Sequence, residues 1–113
     1  MPYIKINTNK TLSNEEKLDI KSMCGKVIED IPGKSENWLM VHINDTQDLY
    51  FKGQSIDCMK VDVQVYGSVS LDHQTTFINH LIQQLSTLTH IDPNNIYVTL
   101  EEFEHWGLMG SYM

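Results

Sequence analysis

The sequence predicts an α+β domain, a two-layer sandwich in which two helices cover one face of a four-stranded mixed sheet. Apolar and polar residues alternate near residues 3–7, 61–65 and 96–103, and a largely apolar run occurs at 38–44; these segments are typical of strands. Two longer segments repeat apolar residues at helical spacing. The order strand, helix, strand thus occurs twice, and the length predicts that residues 1–113 form a single domain.

The first half begins with a strand at about residues 3–7 and continues into a helix that opens at Ser13. Ser13 and Glu16 have the spacing of a capping box, in which each side chain accepts a hydrogen bond from the other residue's backbone N–H. Ile31-Pro32-Gly33 is expected to end this helix, because Pro cannot continue it. A strand at about Trp38–Asn44 follows. The expected apolar face of the helix comprises Leu18, Ile20, Met23, Cys24, Val27, Ile28 and Ile31.

The second half repeats this order, with a valine-rich strand, a helix that Ser70 or Asp72 can cap, and a last strand from Ile96 to Phe103. Asp92-Pro93-Asn94-Asn95 carries turn residues that separate the helix from this strand. Each crossover is expected to be right-handed and to join two parallel strands. The strand alternates Val61, Val63 and Val65, and the helix has the apolar face Phe77, Ile78, Leu81, Ile82, Leu85 and Leu88.

This architecture leaves one face of the sheet without helices. Its side chains would include Ile4 or Lys5, His42 or Val41, and alternate members of the valine strand. We expect several subunits to bundle their sheets, because this buries exposed faces and pairs exposed edges. Short segments near Leu49–Phe51 and Ser111–Met113 are candidate edge strands that cross to neighbouring subunits.

Charge and composition exclude several classes of partner. The net charge of −7 and the pI near 5.0 disfavour nucleic acid, whose phosphates are neutralised by Lys and Arg. The chain contains no Arg, the residue that usually binds dicarboxylates through two parallel hydrogen bonds, so a monocarboxylate is the better substrate. No run approaches the ~20 apolar residues of a membrane span. Cys24 and Cys58 are expected to be buried thiols, and the five His residues show no metal-ligand spacing, so neither a metal nor a cofactor is predicted.

Pro2 is the candidate catalytic residue. A small residue after Met1 is what removal of the initiator Met requires, and the trimmed chain would present a secondary amine at the tip of a strand. Such an amine is intrinsically basic and would be mostly protonated near neutral pH. Burial and a neighbouring cation would lower its pKa, giving a base suited to proton abstraction next to a carbonyl.

Several segments together resemble the macrophage migration inhibitory factor (MIF) family of the tautomerase superfamily. They include the opening Pro2–Asn9, the Gly33-Lys34 pair, Phe51-Lys52-Gly53, the Tyr66-Gly67-Ser68 step, and the ending from Trp106 to Ser111. The resemblance covers nearly the whole chain. It implies a tautomerase fold, a homotrimer, and three active sites at subunit interfaces.

The resemblance also implies roles for individual residues in a phenylpyruvate-type keto–enol tautomerase that needs no cofactor. Pro2 would be the general base, Lys34 would hold the substrate carboxylate with help from the backbone N–H of Tyr66, and Tyr97 would come from a neighbouring subunit. An apolar pocket for an aromatic substrate would be lined by Tyr3, Trp38, Trp106, Leu108 and Met113. Three residues depart from the usual pattern: Thr99 replaces a common Asn, Leu108 a common aromatic, and Tyr66 a smaller aliphatic.

A second interpretation is a secreted, cytokine-like signalling protein that binds a cell-surface receptor and keeps only a weak or vestigial tautomerase pocket. No apolar leader is present at the N-terminus, which predicts a cytoplasmic protein. Members of the family leave cells without a signal peptide, so this does not separate the two interpretations. A superfamily hydrolase or decarboxylase is less favoured, because those activities generally use Arg. The sequence identifies neither the physiological substrate nor a redox role for the two cysteines.

Overall fold

The computed structural model describes all residues, 1–113, and has the element order predicted from the sequence. Short 3-10 helices at Ile28–Asp30, Glu36–Trp38 and Pro93–Asn95 connect the main elements. The elements are β1 (Pro2–Thr8), α1 (Asn14–Val27), β2 (Met40–Asn44), β3 (Met59–Tyr66), α2 (Leu71–Thr89), β4 (Ile96–Phe103), β5 (Gly107–Leu108) and β6 (Ser111–Tyr112).

The main sheet has the strand order β2-β1-β3-β4. Strand β1 is parallel to β2, and β3 is parallel to β4, as a strand-helix-strand crossover requires. The central pair β1 and β3 is antiparallel, so the start of β1 lies at the same end of the sheet as the end of β3. This topology confirms the predicted mixed sheet and determines which ends of the strands can share a site.

Helix α1 begins with the predicted capping box. The Ser13 side chain accepts from the Glu16 backbone N–H at 3.1 Å, and the Glu16 carboxylate accepts from the Ser13 N–H at 2.9 Å. The helix ends at Val27 and tightens into a 3-10 turn before Pro32. Leu18 was wrongly placed on the buried face, because it lies two residues from buried Ile20 and thus on the other side of the helix, with 59% of its surface exposed.

Helix α2 packs its apolar face against the sheet. Ser70, rather than Asp72, caps it, with the Ser70 hydroxyl accepting from the His73 N–H. Phe77, Leu81 and Leu85 are fully buried, and Ile78, Ile82 and Leu88 are partly buried around them. The helix ends before the predicted Asp92-Pro93 turn, because His90 adopts a left-handed conformation with φ 62°.

The helix-covered face of the sheet is apolar. Ile4, Ile6 and all three valines of β3 are buried there, together with Cys24 of α1. Cys58 is buried just before β3, so both predicted thiols are confirmed as buried and free. Neither helix is both long and apolar enough to cross a membrane.

The open face of the sheet carries mostly polar side chains. The structure also decides which residue of each pair considered from the sequence lies on this face. Lys5 rather than Ile4, and His42 rather than Val41, lie on this face, as the alternation of burial and the strand register require. The valines of β3 all point to the helices, so it is the residues between them that lie on the open face: Lys60, Asp62, Gln64 and Tyr66.

Three predicted segments differ from the structure. Strand β2 starts at Met40, because Trp38 belongs to a 3-10 helix that precedes it. Leu49–Phe51 forms no strand within one chain: Phe51 makes only an isolated bridge with Gln54 across a tight turn. The residues Ser111–Tyr112 do form a strand, but they pair with Gly107–Leu108 of the same chain.

Candidate active site

Pro2 lies at the end of the sheet where β3 finishes. It is the buried first residue of β1 and pairs with Val65, one residue before the end of β3. The next residue, Tyr66, donates its backbone N–H to the Met1 carbonyl oxygen at 3.2 Å. The antiparallel pairing of β1 and β3 therefore places the Tyr66 backbone directly beside the Met1–Pro2 peptide.

Lys34 reaches the same place from the loop after α1. Gly33 precedes it with φ 80°, a left-handed conformation that suits Gly and turns the chain after Pro32. The Lys34 Nζ donates to the Tyr66 carbonyl oxygen at 2.8 Å. The structure thus brings together Pro2, Lys34 and Tyr66, the residues that the resemblance assigns to the reacting end of the site.

The amine at this end of the chain has a lowered pKa. Burial is the largest cause, followed by the positive charge of Lys34 and its hydrogen bond, and together they lower the pKa of the Met1 amine from 8.0 to about 6. All three causes favour the neutral form of an amine. This end of the sheet therefore favours the neutral form of an amine and places it beside an ammonium group and the Tyr66 backbone N–H, which the Met1 carbonyl occupies while Met1 is attached.

Two tryptophans lie near the same end of the sheet. Trp38 lies just before β2, whose first residue pairs with Tyr3, and half of its surface is exposed. Trp106 packs edge-to-face on Phe103 with ring centroids 5.7 Å apart, and Phe103 is the register partner of Tyr66. Trp106 also pairs through its backbone with Met113, which closes a hairpin that contains Leu108.

Tyr97 and Thr99 are not part of this cluster within one chain. Tyr97 pairs with Lys60 near the start of β3, whereas Pro2 pairs with Val65 near its end. Five residues of strand separate these positions, which is about 17 Å along the sheet. Thr99 lies on the open face, where its hydroxyl accepts from the Lys60 Nζ at 2.8 Å and donates to Asp62 at 3.2 Å.

Tyr3 also points away from Pro2. Successive residues of a strand face opposite sides of the sheet, so Tyr3 lies on the open face while Pro2 is buried on the other. The Tyr3 hydroxyl lies 2.8 Å from the Nδ1 of His42. The predicted pocket lining by Tyr3 is therefore not formed within a single chain.

A groove of about 400 Å³ lies apart from this cluster, in the helical layer between the two helices, and is lined in part by Met23, His80 and Leu88. Sequence reasoning also missed one supporting residue of the site, Phe103, whose ring packs against Trp106 three residues further along the chain.

Comparisons with known proteins identify the family and the fold. The family model described as macrophage migration inhibitory factor (MIF) matches residues 1–113. This chain belongs to the MIF family. A MIF homolog of Wuchereria bancrofti is 25% identical over 104 residues, which cover 92% of this chain and 90% of the relative.

Solved structures share the same fold. MIF2 of Leishmania major superposes with a TM-score of 0.92 at 18% identity, covering all of this chain and 97% of the other. The MIF of Toxoplasma gondii gives a TM-score of 0.89 at 18% identity, covering 98% and 99% of the two chains. At these identities the likeness establishes a MIF-like fold, and the residues of this chain must carry any conclusion about its chemistry.

Proposed function

We propose that this MIF-family chain is a keto–enol tautomerase that acts on aromatic 2-keto monocarboxylates of the phenylpyruvate type. The observation that carries the proposal is the meeting of the chain's N-terminal end, Lys34 and the Tyr66 backbone at one end of the sheet. A base, a cation and a hydrogen-bond donor within reach of one another are what enolisation of a 2-keto acid needs.

Removal of Met1 would complete the base. The Pro2 nitrogen is an amide while Met1 is attached, and it becomes a secondary amine when Met1 is cleaved. The new amine would meet the burial and the Lys34 charge that lower the pKa of the Met1 amine, and both would shift its own pKa downward, toward the neutral form. Cleavage would also remove the Met1 carbonyl, and the Tyr66 N–H that it accepts from would become free for a substrate oxygen.

The reaction is then a proton transfer between carbon and oxygen. In the keto-to-enol direction, the Pro2 nitrogen takes a proton from the carbon next to the ketone, and the electrons of that C–H bond form the enol double bond. The protonated amine then gives the proton to the carbonyl oxygen, and the enol-to-keto direction reverses these steps. Lys34 and the Tyr66 N–H would hold the substrate carboxylate, which fixes the reacting carbon over the amine.

We further propose that a neighbouring subunit completes each site in a homotrimer. Tyr97 lies about 17 Å from Pro2 along its own sheet, so a second chain is needed to bring this tyrosine to the amine. The chain offers surfaces for such contacts: the outer edges of β2 and β4 are unpaired, and Met40, Tyr97 and Tyr112 each expose more than half of their surface.

A Lys34→Ala variant tests the carboxylate contact. We expect its kcat/KM for phenylpyruvate to fall about 10- to 150-fold, which corresponds to ~1.5–3 kcal/mol for a charged hydrogen bond, while an ester analogue is affected much less. The acid limb of the pH profile should also move to higher pH, because loss of a neighbouring positive charge raises the pKa of the amine. Both substrates are therefore compared at about pH 8, above that limb.

Lys21→Ala is the matched control, since Lys21 is an exposed lysine of α1 that lies outside the Pro2 cluster. Its kinetics should equal those of the parent chain with both substrates. Equal losses on the acid and the ester in Lys34→Ala would refute the carboxylate contact and leave Lys34 with a structural role.

A further inference from the structure

The ring of Tyr97 has one aromatic contact within its own chain. Phe51 packs against it with ring centroids 5.2 Å apart and planes at 87°, an edge-to-face pair. The tyrosine is otherwise open, with 59% of its surface exposed on the second residue of β4. A side chain this exposed changes rotamer readily unless a neighbour restricts it.

Phe51 itself is fixed by a tight turn. Its backbone N–H donates to the Gln54 carbonyl at 2.9 Å, and the Gln54 N–H donates to the Phe51 carbonyl at 3.0 Å. The two residues between them, Lys52 and Gly53, have φ values of 55° and 70°, so this turn uses left-handed conformations at both central positions. The Lys52 ammonium lies 5.4 Å from the centroid of the Phe51 ring, on its face.

The side chain of Asn9 ties both sides of this turn to the sheet. Its amide nitrogen donates to the carbonyls of Leu49 at 2.9 Å and Ile56 at 2.7 Å. Its amide oxygen accepts from the Cys58 N–H at 3.0 Å. Asn9 directly follows β1, so one side chain anchors to the sheet a loop that has almost no regular structure of its own.

We propose that Phe51 is a positioning residue for Tyr97, and that the turn anchored by Asn9 holds the Phe51 ring in place. The inference rests on the proposed function, in which Tyr97 completes the site of a neighbouring subunit. Phe51 lies with Tyr97 at the end of the sheet opposite Pro2 of its own chain, so it would act on the neighbour's substrate through the tyrosine. Its loss should weaken substrate binding and leave the basicity of the Pro2 amine unchanged.

A Phe51→Leu variant, studied in the full assembled protein, tests this assignment. We expect kcat/KM for phenylpyruvate to fall about 3- to 10-fold, mainly through a higher KM, with the acid limb of the pH profile unmoved. Phe51→Tyr keeps an aromatic ring and should restore KM. Tyr50→Leu is the matched control, since Tyr50 precedes Phe51 in the same loop, is 68% exposed and makes no aromatic contact.

Nuclear magnetic resonance of tyrosine-ring-labelled protein tests the same point without an activity assay. The ring signals of Tyr97, assigned through Tyr97→Phe, should shift in Phe51→Leu and stay in place in Tyr50→Leu, because the Phe51 ring current is lost only in the first. If Phe51→Leu does not fold, Gly53→Ala replaces it: the position is open but has φ 70°, so a side chain there distorts the turn and should shift the same signals.

The outcomes separate the two proposals. Unchanged Tyr97 signals in Phe51→Leu, or in Gly53→Ala, would overturn the positioning role, as would a Tyr50→Leu variant with the same loss of kcat/KM. If the Tyr97 signals shift as expected in Phe51→Leu but the parent protein converts no phenylpyruvate, the Phe51–Tyr97 contact is upheld and the tautomerase proposal is overturned.

Discussion

A chain that keeps Met1, or that carries any extension on Pro2, is expected to lose at least about 100-fold of its tautomerase turnover. The reason is that an acylated Pro2 nitrogen is an amide without a basic lone pair, and a positioned general base typically contributes 10²- to 10⁴-fold. The retained residue also fills the site, since the Met1 carbonyl accepts the Tyr66 N–H. The measurement compares preparations whose N-termini are verified by intact mass.

A Pro2→Gly variant tests the role of the N-terminal amine while leaving the other residues of the site unchanged. The trimmed variant begins with a primary amine of different basicity on a looser backbone, so turnover should fall strongly while the assembly and its melting temperature stay close to those of the parent. Full activity in an extended chain, or unchanged turnover in Pro2→Gly, would assign the base to another residue.

Phe77→Ala is expected to lower the free energy of unfolding by about 3–5 kcal/mol, the usual cost of removing a buried aromatic ring. Phe77 is fully buried on α2, where it packs against the valine-rich face of the sheet. Leu71→Ala is the control in the same helix, because Leu71 is 75% exposed and should change stability by less than about 0.5 kcal/mol. Urea unfolding at one fixed protein concentration measures both, since assembly makes stability depend on concentration.

A difference of less than about 1 kcal/mol between Phe77→Ala and Leu71→Ala would contradict the assigned core. It would mean that α2 does not pack its Phe77 face on the sheet, and the placement of β3 and Tyr66 would then need revision.

The repeating patterns of the sequence predicted the main elements well. Helical spacing and alternation are local properties, so the capping box at Ser13 and the strand Ile96–Phe103 follow from neighbouring residues alone. Alternation gives the period of a strand but not its phase. Whether Ile4 or Lys5 faces the helices depends on which side the helices pack, and only the folded chain decides this.

Turn residues explain why Leu49–Phe51 forms no strand within the chain. Tyr50 and Phe51 favour strands, but the following Lys52-Gly53 pair takes left-handed conformations that close a turn instead. The hydrogen bonds from Asn9 that hold this loop span about forty to fifty positions in the sequence, and nothing in the local pattern announces them.

For the site, the resemblance grouped Pro2, Lys34 and Tyr66, and the structure brings these three residues close together, while their roles stay predictions. The resemblance assigned Tyr97 to the site of a neighbouring subunit, and within one chain Tyr97 and Thr99 lie at a different part of the sheet from Pro2. The parallel register of β3 and β4 accounts for the separation, because Tyr97 near the start of β4 must pair with the start of β3, whereas Tyr66 ends it.

The most direct test of the proposed chemistry is the enol–keto conversion of phenylpyruvate, followed by absorbance, with protein whose mass shows Pro2 as the first residue. The same preparation should sediment at about three times the 13.1 kDa chain mass. We predict saturable conversion above the buffer rate that declines as the pH falls through the lowered pKa of the amine, because protonation removes the base. An assembled, Met-trimmed protein without such conversion would contradict the account. Thr99, Leu108 and Tyr66 would then have disabled the site, and the receptor-binding interpretation would be preferred.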